Sequence, residues 1–122
     1  LTSVAPEALP ALGFSIPMED LVLSRARWAM ESGCAGVVCS GHEAARVRGM
    51  SGPGFLVVVP GVRPSWDRGV QDQKRVVTPS AAIRAGADMI VVGRPIRDAA
   101  DPAAAADRMV GEIEEALAAG RG

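Results

Sequence analysis

Three short apolar runs constrain this chain more than anything else in it. Gly36-Val37-Val38-Cys39-Ser40, Phe55-Leu56-Val57-Val58-Val59 and Met89-Ile90-Val91-Val92 are rich in β-branched residues, and none alternates apolar with polar positions. A strand with one wet face would alternate. Unbroken runs of this length predict parallel strands buried on both faces by helices. Helical segments fill the gaps between them. The spacing predicts a helix over 18–31 with Leu21, Val22, Arg25, Trp28 and Ala29 on one face, and a shorter helix over 41–49. Thr78-Pro79 and Asp101-Pro102 each place a capping side chain before a proline, whose missing N–H costs nothing in a first helical turn. The helix after Thr78 is expected to stop at Gly86, a residue suited to a left-handed C-cap. The helix after Asp101 carries Met109, Val110, Ile113 and Leu117 on one face, with Glu112, Glu114 and Glu115 directed to solvent. Regular alternation of strand and helix defines an α/β fold with a parallel sheet.

Composition narrows the function classes. Hydrophobic residues make up 48% of the 122 residues, charged residues 22%, and the formal net charge is -1. A chain without basic excess has little with which to neutralise a nucleic-acid backbone, and 3% aromatics leave few platforms on which bases could stack. No apolar run reaches the roughly 20 residues that a membrane-spanning helix needs. The start, Leu1-Thr2-Ser3-Val4, has no charged segment followed by an apolar one, as a secretory signal would. Cys34 and Cys39 fit neither a redox pair nor half of a zinc site, so two buried free thiols are expected, as in a cytoplasmic protein. No cluster has metal-ligand spacing.

One connection breaks the regular pattern. Links between strand and helix in α/β proteins are commonly about 2–6 residues long, yet Pro60 and Val77 are separated by a stretch holding Gly61, Pro64, Gly69, Trp66 and charges of both signs. It follows the C-terminal end of a strand, the face where barrel active sites are built, so a ligand loop or lid is expected. Trp66 either covers a ligand or packs the loop. After the third run comes Val92-Gly93-Arg94-Pro95-Ile96. Gly93 would let a ligand approach the backbone closely. A short helix over 95–98 would aim amides at an anion, and Arg94 would add a bidentate, permanently charged fork. That combination suits a phosphomonoester.

The pieces together are specific. Pro60-Gly61-Val62-Arg63-Pro64, Asp72-Gln73-Lys74-Arg75-Val76-Val77-Thr78-Pro79, Ala85-Gly86-Ala87-Asp88, Val91-Val92-Gly93-Arg94-Pro95-Ile96 and Ala100-Asp101-Pro102 resemble the C-terminal signature of the orotidine 5′-phosphate decarboxylase family. Leu1-Thr2-Ser3 resembles the end of that family's fifth strand, and Val37-Val38-Cys39-Ser40 its sixth. The resemblance implies the C-terminal half of a (β/α)₈ TIM barrel, with residues 1–122 forming a single partial domain of parallel strands and outer helices. It implies a cofactor-free carboxy-lyase of pyrimidine biosynthesis that converts orotidine monophosphate to uridine monophosphate and CO₂. Gln73 and Arg94, helped by the backbone at Gly93, would bind the 5′-phosphate. Arg63 and Thr2 match positions that also contact the nucleotide. The loop carrying Gln73 would close over the phosphate, and the protein would be a cytoplasmic homodimer with sites near the subunit interface.

The sequence departs from the family in one decisive respect. The family's chemistry rests on a Lys-Asp-x-Lys-x-x-Asp motif, whose lysine stabilises and protonates the carbanion left by CO₂. This chain has one lysine, Lys74, and no such motif. A complete barrel also takes about 250 residues. With a start lacking Met, these facts predict that the chain is one portion of a barrel, inactive alone, whose remaining half lies elsewhere. Two alternatives remain at this level: another phosphosugar-binding barrel of the same superfamily, and a non-enzymatic phosphate-binding half barrel. Among other polar residues, His42 and Glu43 are expected on the helix surface and Ser40 as the N-cap of the helix that follows. Asp88 is expected in a turn, and Trp28 in the core.

Overall fold

The structure, a computed structural model, describes residues 1–67 and 75–120. Two 3₁₀ turns, Pro6–Ala8 and Pro10–Leu12, lead into helix α1 (Met18–Glu31), strand β1 (Gly36–Val38), helix α2 (Ala44–Ser51) and strand β2 (Leu56–Val59). After the long connection come helix α3 (Pro79–Arg84), strand β3 (Met89–Ile90), the one-turn helix α4 (Arg94–Arg97) and helix α5 (Pro102–Ala118). The three strands form one parallel sheet in the order β1-β2-β3. Gly36, Val37 and Val38 pair with Leu56, Val57 and Val58, while Val58 and Val59 pair with Met89 and Ile90.

Local signals set the helix ends. The Thr78 hydroxyl accepts from the Ala81 amide at 3.2 Å, and the Asp101 carboxylate accepts from the Ala104 amide at 3.0 Å. Gly86 adopts φ +93°, the left-handed conformation expected after α3. Glu112 is not merely solvated: its carboxylate accepts from the Ser80 amide at 3.1 Å, so α5 satisfies an orphan donor at the start of α3.

The helices cover one face of the sheet. Val57 and Val59 are fully buried against Leu21, Val22, Ala26, Ala44, Val47, Ala82 and Ala87. The opposite face is bare: Val38 is 63% exposed, Met89 54%, Val91 53% and Leu56 40%. The expectation that helices bury each strand on both faces is therefore corrected. Apolar runs without alternation are what a barrel strand requires, because its second face looks into the barrel interior. Two helix faces are also corrected. Trp28 is 62% exposed rather than in the core, while α1 buries Leu21 and Val22 as expected, together with Met18 and Ala26. On α5 the buried stripe is Ala105, Met109 and Ala116, leaving Val110 and Leu117 outside.

Gly36 sits where two backbones approach closely. A Cβ there would lie 2.3 Å from the Leu56 carbonyl oxygen and 2.6 Å from the Leu56 Cβ. Gly36→Ala is thus expected to push β1 off β2 and to destabilise by about 2 kcal/mol or more, an overpacking cost. The urea midpoint checks this, and an unchanged midpoint would contradict the close approach.

Candidate functional site

The site is built at the C-terminal ends of the strands. Beyond β2, the chain turns at Gly61 (φ +68°) and enters the long connection. Its two ends are pinned together: Val62 and Val77 form a parallel bridge, and the Arg63 amide donates to the Val77 carbonyl at 2.9 Å. Pro64 is fully buried, and Trp66 lies under the Arg108 guanidinium, 4.5 Å from its ring centre. Trp66 therefore packs this stem on α5. Residues 68–74, and with them Gln73, lie outside the described residues.

Beside this stem is a cleft of about 320 Å³ lined by Arg63, Gly93, Arg94, Pro95 and Arg97 together with residues 60–62 and Val91. Three of the residues singled out from sequence, Arg63, Gly93 and Arg94, thus meet at one cleft. Arg63 is buried and faces Asp67 at 3.4 Å. Arg97, not anticipated from sequence, lines the same cleft and forks onto Asp98 at 2.6 and 2.9 Å. That contact holds the Asp98 carboxyl below its ordinary range. The helix spans Arg94–Arg97 rather than 95–98, and the Ile96 and Arg97 amides both donate to the Gly93 carbonyl at 3.0 Å. Pro95 has no N–H to offer, so the second position of this turn gives no donor. A Cβ added at Gly93 would meet nothing within 4 Å, so crowding by the chain's own atoms does not demand glycine there.

Thr2 lies elsewhere. It lines a second cleft of about 240 Å³ with Leu1, Arg25, Val38, Cys39, Ser40 and Arg75. The first residues form turns rather than a strand end. Glu43 is 4% exposed rather than on the surface, and its carboxylate pairs with Arg75, itself 7% exposed. Arg75 also donates to the Leu1 carbonyl at 3.2 Å, and burial lowers its pKa from the ordinary arginine value. Ser40 is buried and accepts from the His42 amide at 3.3 Å in the turn before α2, whose N-cap is Glu43. His42 is exposed, as expected.

Only one thiol is buried. Cys39 is 3% exposed and its pKa is pushed up to about 11 by desolvation, with nearby Arg75 opposing the shift, whereas Cys34 is exposed. Protonated Cys39 thus favours the folded state below the ordinary thiol value of 9.0, and that contribution is lost as the pH rises from 9 towards 11. A thiol reagent at pH 8 is expected to label Cys34 and spare Cys39 until the protein is denatured. Mass spectrometry of the labelled peptides checks the order, and equal labelling of both in the folded protein would contradict it.

Among the described residues no group of three or more His, Cys, Asp or Glu could hold a metal ion. No described helix is long and apolar enough to cross a membrane.

A parallel sheet with flanking helices and a bare apolar second face defines a portion of a (β/α) barrel. The chain belongs to the orotidine 5′-phosphate decarboxylase / HUMPS family, whose model matches residues 5–109. It is 58% identical over 106 residues to orotidine 5′-phosphate decarboxylase of Anaeromyxobacter sp. (strain K), covering 87% of this chain and 46% of that protein. To the enzyme of Methylococcus capsulatus it is 53% identical over 120 residues, covering 98% of this chain and 50% of that protein. The crystal structure of orotidine 5′-phosphate decarboxylase from Lactobacillus acidophilus superposes with a TM-score of 0.75 at 38% identity, over 93% of this chain and 46% of that one. The chain therefore spans about half the length of the relatives it matches.

Proposed function

We propose that this chain is the phosphate-gripping portion of an orotidine 5′-phosphate decarboxylase, acting on orotidine monophosphate within an assembled barrel. The observation that carries the reading is the convergence of Arg63, Arg94 and Arg97 with Gly93 on one cleft at the strand ends, in a chain of this family. Three guanidinium groups suit a dianionic phosphate better than a neutral sugar, because charge-assisted hydrogen bonds are about twice as strong as neutral ones. Open space over Gly93 leaves room for a phosphate oxygen against the backbone. Gln73 would join the grip from the loop, and Thr2 would meet the nucleotide from the second cleft, as the family likeness implies. The names of the relatives at 53–58% identity favour this substrate over another sugar phosphate.

The grip alone does no chemistry. Decarboxylation needs a cationic proton donor at the departing carboxylate, and the one lysine here, Lys74, is not set among the carboxylates of the family motif. The remaining half of the barrel would supply that group and cover the exposed Val38, Leu56, Met89 and Val91. Binding energy from the phosphate would then order the reacting centre at a distance. The family likeness further suggests a cytoplasmic homodimer working without a cofactor. The test is a calorimetric titration of uridine 5′-monophosphate into the assembled protein, parent against Arg94→Ala. Equal binding by the two removes the phosphate assignment.

A further inference from the structure

The Glu43–Arg75 pair lies at the functional end of the sheet and is buried on both sides, at 4% and 7% exposure. Its energetics do not favour a stabilising role. Two charges withdrawn from water regain little beyond what well-packed apolar side chains of the same volume would give. The second carboxylate oxygen, Glu43 Oε2, is buried and has no hydrogen-bond partner among the described residues, which makes the arrangement dearer still. What the pair does achieve is geometric. Glu43 stands at the N-terminus of α2. Arg75 opens the stem by which the long connection returns to the sheet, two residues before Val77 bridges Val62. The same guanidinium donates to the carbonyl of Leu1, the residue joined to Thr2. One side chain thus ties together the N-terminal segment, the β1–α2 turn and the returning stem, and it lines the cleft that holds Thr2.

We infer that Arg75, held by Glu43, is a positioning residue for the nucleotide: it fixes Thr2 on one side and the stem of the phosphate loop on the other. The inference rests on the phosphate reading above. Arg75 lies two residues past Gln73 in sequence. A guanidinium with a rigid fork and permanent charge can hold a carboxylate and a carbonyl at once, which lysine does less well.

The test uses kinetics and stability together, measured on the assembled enzyme with orotidine monophosphate. In the double variant Glu43→Leu with Arg75→Met, the pair is replaced by apolar side chains. The melting temperature is expected to stay at or above that of the parent, while KM rises about tenfold or more and kcat changes far less. If KM stays within twofold of the parent in a variant that folds as stably, the positioning role is wrong. Should the double variant fail to fold, Arg75→Lys, which keeps the charge but loses the fork that holds Glu43 and the Leu1 carbonyl together, carries the test with the same two KM outcomes. Arg94→Ala run alongside separates the two readings. A raised KM there with an unchanged KM in the pair variants overturns the positioning role alone, whereas an unchanged KM in Arg94→Ala overturns the phosphate reading.

Discussion

Arg94→Ala is expected to weaken the binding of uridine 5′-monophosphate about a hundredfold or more while leaving the fold intact. Arg94 opens α4 directly after Gly93 and lines the cleft shared with Arg63 and Arg97. The Ile96 and Arg97 amides go to the Gly93 carbonyl and Pro95 has none, so these three positions cannot replace a missing side chain. A bidentate guanidinium–phosphate contact comprises two charge-assisted hydrogen bonds, each contributing about 1.5–3 kcal/mol. Loss of both costs about 3 kcal/mol or more, and every 1.4 kcal/mol is about tenfold in affinity. Arg94→Lys should recover part of the loss, because the charge returns without the planar fork. Uridine, which lacks the phosphate, should bind parent and variant alike. A variant that discriminates uridine but not its monophosphate would place the phosphate elsewhere. The remaining charges at the cleft set the residual affinity. Arg63 faces Asp67 and Arg97 forks onto Asp98, so each must share its guanidinium with a carboxylate.

The parts of this molecule that were legible in its sequence are those fixed by neighbours along the chain. Helix α1 occupies Met18–Glu31 as its periodicity predicts, and the caps at Thr78 and Asp101 bond within three residues. Gly86 takes its left-handed turn because no contact beyond the helix end is needed to require it. What the sequence hid depends on distant partners. Glu43 reads as a surface residue until Arg75 is brought to it across the sheet. A carboxylate can be buried only if such a cation arrives, and spacing cannot announce that. Trp28 shares the edge stripe of α1 with Leu21, and periodicity alone does not say how far along the helix that stripe stays covered. The apolar runs predict strands covered by helices on both faces, whereas helices cover one face only. They carry that pattern because the barrel interior is apolar as well, a property of the closed barrel rather than of these helices. The cleft was half legible: Arg63, Gly93 and Arg94 could be named from motif order, but Arg97 emerges only when the turn of α4 swings it onto the same opening.

At the opposite end of the sheet, Arg48→Ala is expected to be among the most destabilising single changes in the chain, by about 3 kcal/mol or more. Arg48 belongs to α2, and its guanidinium is shared among four groups. It pairs with the Asp88 carboxylate and donates to the carbonyls of Gly86 at 3.1 Å and Phe55 at 2.8 Å, and to that of Gly52. Asp88, which the sequence suggested was a simple turn residue, also accepts from the Val57 amide at 2.9 Å, locking the start of β3 to β2. Removing the guanidinium takes the cation from one carboxylate and a donor from three carbonyls that are only partly reachable by water, and each lost contact costs about 1–3 kcal/mol where burial is complete. Partial exposure of both side chains, 20% and 23%, lets solvent recover some of that and keeps the total well below the sum. Asp88→Asn should cost less, since an amide oxygen can still accept from Val57. The pair of variants made together should cost less than their separate costs added, because either change alone already breaks the shared contact. Urea denaturation of the assembled protein measures all three. Additive losses would mean that Arg48 and Asp88 act independently, and an unchanged midpoint in Arg48→Ala would mean that the clamp does not hold the sheet. Nucleotide affinity in variants that remain folded should be unchanged, because this network sits at the strand starts, away from the cleft where Arg94 lies.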